Sequence, residues 1–99
     1  MPAVPSKLAW TLSAVRDVSD FLDFVAADDP AAADGQGSRL REAAERLLVF
    51  PGLGRPGRVA GTRELVVSGT PVILAYRVHA DRVEILRVLH AKQQWPWFM

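Results

Sequence analysis

The sequence predicts an α+β domain in which a short edge strand leads into a two-helix hairpin and then into a three-stranded antiparallel meander. Three observations carry this reading. Apolar residues recur at helical spacing from residue 12 to residue 48, they recur at period two from residue 62 to residue 90, and Pro51-Gly52 stands where one period gives way to the other.

Leu8 and Trp10 alternate with Lys7 and Ala9, and Pro2 and Pro5, which have no N–H for a ladder, restrict this piece to a sheet edge. Leu12, Val15, Val18, Leu22 and Val25 then fall on one helical face, with Arg16, Asp17, Asp20 and Asp23 on the opposite, solvated side. Thr11 is the natural N-cap, and the helix should end near Ala27. Asp28, Asp29 and Pro30 start a second helix. Gly35 and Gly37 flank Gln36 within one turn, and each costs about 1 kcal/mol against alanine, so the first half of this helix is expected to be frayed or broken. From Ser38 the pattern recovers, with Leu40, Ala43, Ala44, Leu47 and Leu48 on one face and Arg39, Arg41, Glu42, Glu45 and Arg46 on the other. Residues 52–58 read as a plain loop with solvated Arg55 and Arg58. Residues 62–67, 72–78 and 82–90 are the three strands of the meander. The last has apolar residues on both faces, as an interior strand covered at least partly on each side requires, and Arg87 lies near its middle.

The chain has 99 residues, enough for one domain spanning 1–99. Its 49% hydrophobic and 23% charged residues exclude a disordered polar tail, and no run approaches the roughly 18 apolar residues of a membrane span. The N-terminus shows no export signal, and the absence of cysteine suits a reducing cytoplasm. Net charge is +1 overall, but residues 1–50 carry −3 and residues 51–99 carry +4. The second half is therefore the one suited to an anionic partner.

Few residues offer chemistry. The glycine-rich stretch 52–57 lacks the Gly-Lys-Ser/Thr ending of a phosphate loop. His79 and His90 are the only histidines, and with no cysteine neither a metal site nor another cofactor is expected. His79 reads as surface polar. His90 is either an acid–base group or a histidine tying the strand end to a carbonyl. Arg58, Arg63, Arg77 and Arg87 either form a binding face for carboxylates or phosphates or, paired with Glu64 and Glu84, an ordinary salt-bridged sheet surface. Trp95, Trp97 and Phe98 crowd the end of the chain, where they either fold back on the sheet, favoured for Trp95, or anchor another protein.

Trp10-Thr11 with Ala14 and Asp17, and Asp29-Pro30 with Ala32-Ala33, resemble the opening of the RelE/ParE toxins of type II toxin-antitoxin systems. Phe50-Pro51, the run 54–58, the run 61–66, Tyr76-Arg77-Val78 and the run 85–90 are similar to a ParE-type toxin strand by strand. The resemblance implies a small cytoplasmic toxin held in a hetero-oligomer with a cognate antitoxin, with no membrane and no specific DNA binding of its own. It implies antitoxin contacts on the hairpin, for which Val18, Leu22, Leu40 and Leu47 are the candidates, and on the sheet edges. Target contacts are expected from Arg58, Arg63, Arg77, Arg87, His90, Trp95, Trp97 and Phe98. ParE-type toxins poison DNA gyrase without nuclease chemistry, whereas RelE-type toxins cut mRNA on the ribosome. Here Ile73 precedes Leu74-Ala75-Tyr76 where RelE-like enzymes carry an arginine, and no tyrosine follows Tyr76. Gyrase inhibition with no catalytic residue is the resulting expectation. The alternatives are an mRNA endonuclease using Arg87 and His90, or a non-toxic co-repressor that binds the antitoxin.

Overall fold

Thr11 marks the switch from strand to helix. In this computed structural model, which describes residues 5–91, strand β1 (Lys7–Trp10) stops one residue before helix α1 (Leu12–Asp28). The Thr11 hydroxyl accepts from the Ala14 N–H at 3.0 Å, the cap the sequence predicts, and donates to the Leu86 carbonyl at 2.7 Å, which ties the helix start to the sheet. Asp29 closes α1 and opens α2 (Pro30–Val49). Its backbone N–H returns to the Val25 carbonyl at 2.9 Å, and its carboxylate accepts from the Ala32 N–H at 3.2 Å.

The expected break at Gly35 and Gly37 does not occur, and α2 runs unbroken through both. Tertiary contacts outweigh the glycine cost. Gln36 Nε2 donates to the Gly69 carbonyl at 3.2 Å, Ala33 is buried, and Gly37 lies beside the Leu22 side chain. Gly69 itself, at a φ of +77°, sits under the Arg39 guanidinium of the same helix.

The sheet has the order β1-β5-β4-β3-β2. The meander β3 (Arg63–Val66), β4 (Val72–Val78) and β5 (Arg82–His90) is antiparallel as expected, while β1 joins β5 in parallel and makes β5 an interior strand. The stretch expected as loop contributes a further two-residue strand, β2 (Arg55–Pro56), on the edge of β3. Proline is tolerated there because an edge residue needs no donor on its open side.

The register of β4 and β5 shifts once. Ala75 faces Arg87 and Tyr76 faces Ile85, so Leu86 is the extra residue of a bulge. Helices cover one face of the sheet, where Leu74, Tyr76, Val83, Ile85 and Val88 form a core with Ala14, Leu40, Ala44 and Leu47. On the other face Ile73, Ala75 and Leu89 are also buried, at 4%, 0% and 2% exposure, but lie outside that core.

Because Gly35 is helical and its missing Cβ would point into open space, Gly35→Ala should raise stability by about 0.5–1 kcal/mol in urea unfolding. An unchanged midpoint would mean that this turn is not helical in solution.

Candidate functional site

Residues paired across neighbouring strands point to the same face, so the register distributes the arginines. Ala75, at the centre of the sheet face away from the helices, is flanked by Glu64 on β3 and Arg87 on β5. Glu64 is 3% exposed. Its carboxylate accepts from Arg55 Nη2 at 3.2 Å and from the Arg58 backbone N–H at 2.9 Å, with Arg58 Nε at 3.8 Å. Arg55 and Arg58, expected to be simply solvated, are thus oriented by a buried carboxylate. Arg77 is exposed near the far end of β4, opposite Glu84, which bonds His79 Nε2 at 3.0 Å. The structure therefore groups Arg58, Arg77 and Arg87 on or beside one face and adds Arg55, which the sequence reading missed for want of a visible strand at residue 55.

Arg63 belongs elsewhere. It pairs with Tyr76, whose side chain is in the core under the helices, and its Nη1 donates to the Gly54 carbonyl at 2.7 Å. The Tyr76 hydroxyl accepts from the Gly54 N–H at 2.9 Å and donates to the Pro51 carbonyl at 2.7 Å. A Cβ on Gly54 would meet that hydroxyl at 2.7 Å, so only glycine permits this approach. Burial raises the Tyr76 pKa, and the Gly54 hydrogen bond and the charge of Arg63 counter only part of the rise.

Asp17 corrects a second expectation. Assigned by periodicity to the solvated helix face, it instead accepts from Arg87 Nε at 2.8 Å, Arg87 Nη2 at 3.1 Å and the Val88 N–H at 2.9 Å. The carboxylate leans over the edge of β5 beyond the end of β1, where Val88, paired with Leu74 on β4, has no partner from β1. Hydrogen bonding to Asp17 pushes the Arg87 pKa up against the opposing effect of its own burial.

Two apolar grooves flank α1. One of about 380 Å³ is lined by Phe21, Phe24, Val72, Val88 and His90, with Asp17 and Asp20 at its side. The other, of about 310 Å³, lies between the helices and is lined by Trp10, Val15, Val18, Leu22, Leu40 and Arg41. Val18 and Leu22 thus present surface, Leu40 is buried at that groove's wall, and Leu47, at 0% exposure, is core and offers no surface. Trp95, Trp97 and Phe98 lie outside the described residues. Among the described residues, no three His, Asp or Glu side chains cluster as metal ligands would, and no helix is long and apolar enough to cross a membrane.

The sequence profile of the ParE toxin of the type II toxin-antitoxin system parDE matches residues 8–95. The chain belongs to the ParE toxin family. It is 44% identical to the putative toxin Y4kP of Sinorhizobium fredii over 90 residues, covering 91% of this chain and 93% of that protein. It is 35% identical to the toxin RelE2 of Caulobacter vibrioides over 86 residues, covering 87% and 96%. The solved chromosomal ParDE toxin-antitoxin system of P. aeruginosa contains a chain of the same fold, with a TM-score of 0.80 at 26% identity and coverage of 89% and 98%. A chain of the RelBE2 toxin-antitoxin complex of Mycobacterium tuberculosis superimposes with a TM-score of 0.61 at 29% identity, covering 88% and 99%. The sequence resemblance to RelE/ParE toxins is borne out, and this ParE-family chain is a toxin of the type II class.

Asp17→Ala strands Arg87 and the Val88 N–H in a half-buried setting and should cost about 2–4 kcal/mol in chemical denaturation. Tyr76 is the single tyrosine, so its phenolate absorbance reads one group. It should ionise above the free-tyrosine value of about 10. Because the folded pKa is the higher one, the tyrosine's stabilisation is complete below pH about 10 and is lost as pH rises towards the folded pKa. Tyr76→Phe should remove that alkaline loss along with the two hydrogen bonds.

Proposed function

We propose that this ParE-family toxin inhibits DNA gyrase in the cytoplasm by docking, and that a cognate antitoxin silences it by lying in the groove of the helical hairpin. The observation that supports docking over bond-breaking is the commitment of the polar groups an RNA-cleaving site would draw on. Arg87 is held in a forked contact by Asp17, and the Tyr76 hydroxyl is buried between Gly54 and Pro51. Cleaving RNA through a 2′-hydroxyl needs a base, an acid and cations aimed at the phosphorane. His90 alone does not supply that set. Arg55, Arg58 and Arg77 instead suit an acidic protein surface.

The antitoxin reading draws on the hairpin. Leu12, Val15 and Phe24, all on α1, are 63%, 50% and 78% exposed, an apolar surface that suits a partner. The related P. aeruginosa and M. tuberculosis structures are of toxin-antitoxin systems. The groove with Arg41 at its rim suits an apolar segment carrying carboxylates. The RelE2 relative keeps mRNA cleavage as the second reading.

Purified toxin added to gyrase and supercoiled DNA, and separately to translating ribosomes, distinguishes the two. Inhibited gyrase with intact mRNA is expected, and Arg77→Gln, which places no second carboxylate opposite Glu84, should weaken inhibition several-fold. Cut mRNA with unaffected gyrase would replace this reading by the nuclease. Growth unimpaired by expression without the antitoxin would replace it by the co-repressor.

A further inference from the structure

A fold needs glycine where the backbone is left-handed or where a neighbour comes too close for a side chain. Gly37 meets neither condition. It lies inside α2 (Pro30–Val49), and among the described residues only Gly61 and Gly69 have a positive φ. A Cβ at Gly37 would meet nothing but the Leu22 side chain, at 3.5 and 3.9 Å, which is ordinary contact. Gly54 differs, since a Cβ there would come within 2.8 Å of the Glu64 carbonyl oxygen. The fold would accept alanine at position 37, yet the helix carries glycine there against its propensity.

The missing side chain opens the groove between the helices. Gly37 lines it together with Leu40 and Arg41 of the same helix and with Val15, Val18 and Leu22 of α1, around a space of about 310 Å³. Atoms beyond a Cβ at position 37 would extend past Leu22 into this space. Gly35 makes the contrast, because a Cβ there would meet nothing within 4 Å and the residue does not line the groove.

The groove also has a regular spacing. Arg41, which is exposed, is four residues from Gly37 on α2, about 6 Å along the helix axis. On α1, Val15, Val18 and Leu22 cover roughly 10 Å, two helical turns. A notch and a cation one turn apart match a helix that carries a bulky apolar residue and a carboxylate three or four positions apart.

We propose that Gly37 is a specificity determinant for the antitoxin: the notch over Leu22 receives one bulky apolar side chain of an antitoxin helix, whose carboxylate one turn away meets Arg41. This rests on the reading that the antitoxin lies in the hairpin groove, and adds which antitoxins fit it. One with a small residue at the notch leaves the space unfilled and loses packing contacts, so a single position separates partner from non-partner.

The cognate antitoxin titrated into full-length toxin, with urea unfolding of each toxin variant, tests this. Gly37→Ala should weaken binding a few-fold and Gly37→Leu about tenfold to a hundredfold. Alanine and leucine both favour a helix over glycine, so affinity should fall while the unfolding midpoint holds or rises, the opposite of what a damaged fold gives. If Gly37→Leu does not fold, Gly37→Ala carries the same direction. Gly35→Ala should leave affinity unchanged. Antitoxin variants with one apolar residue trimmed to alanine should include one that binds the unmodified toxin more weakly and restores binding to Gly37→Leu. Unweakened binding by Gly37→Leu would overturn the proposal, as would a loss that no antitoxin variant restores. Val15→Glu separates this failure from that of the groove itself. If it weakens binding where Gly37→Leu does not, the antitoxin uses the groove without the notch, and if neither weakens binding, the antitoxin lies elsewhere and both readings fall.

Discussion

Strand β5 serves as an interior strand only because α1 completes the edge that β1 leaves unfinished. The parallel ladder ends at Trp10 and Ile85. Beyond it the Thr11 N–H takes the Ile85 carbonyl at 3.0 Å, the Thr11 hydroxyl takes the bulged Leu86 carbonyl, and Asp17 takes the Val88 N–H. A buried backbone group left without a partner costs about 1–3 kcal/mol, so these contacts fix where the helix begins and how far it leans over the sheet. The placement of α1 then sets that of α2, since Asp29 ends one and caps the other. Both grooves beside α1 are consequences of how one strand edge is satisfied.

The periodic elements of this arrangement were legible in the sequence, and the long-range ones were not. The meander spacing, the Thr11 cap and the Asp29-Pro30 start each depend on residues a few positions apart, and the structure reproduces them. Asp17 illustrates the limit. On a helical wheel it belongs with Arg16 and Asp20, yet its partners Arg87 and Val88 are 70 and 71 positions away. Nothing local distinguishes it from its solvated neighbours. The bulge at Leu86 is hidden for the same reason, because it exists only relative to β4. The glycines of α2 show the opposite error. Local propensity disfavours a helix there, but Gln36 reaching Gly69 and Leu22 beside Gly37 decide the outcome.

The charge division between the halves has a structural meaning that composition alone does not convey. The +4 half is not a uniformly basic surface. Glu64 sits inside it and gathers Arg55 and Arg58, while the acidic half sends Asp17 across to Arg87. A buried carboxylate surrounded by arginines adds little net stability, because its desolvation offsets much of the attraction. Its effect is geometric. An arginine side chain drawn towards a fixed carboxylate has somewhat less entropy to lose when a partner docks, which favours a fixed orientation for recognition. Arg77, exposed opposite Glu84, shares that face.

The same pairing bears on the choice between docking and cutting. A phosphate seeking the Nε–Nη2 fork of Arg87 would have to displace a carboxylate that already occupies it at 2.8 and 3.1 Å. Displacing it also frees the Val88 N–H, so RNA binding there would loosen the strand edge on which the fold relies. A catalyst gains when its charged groups are preorganised towards the transition state, whereas this arginine is oriented towards Asp17 on α1. A partner that reads Arg55, Arg58 and Arg77 asks for no such exchange. Association across that face would leave the Asp17 clamp intact, so the proposed docking would meet a β5 edge already held in place.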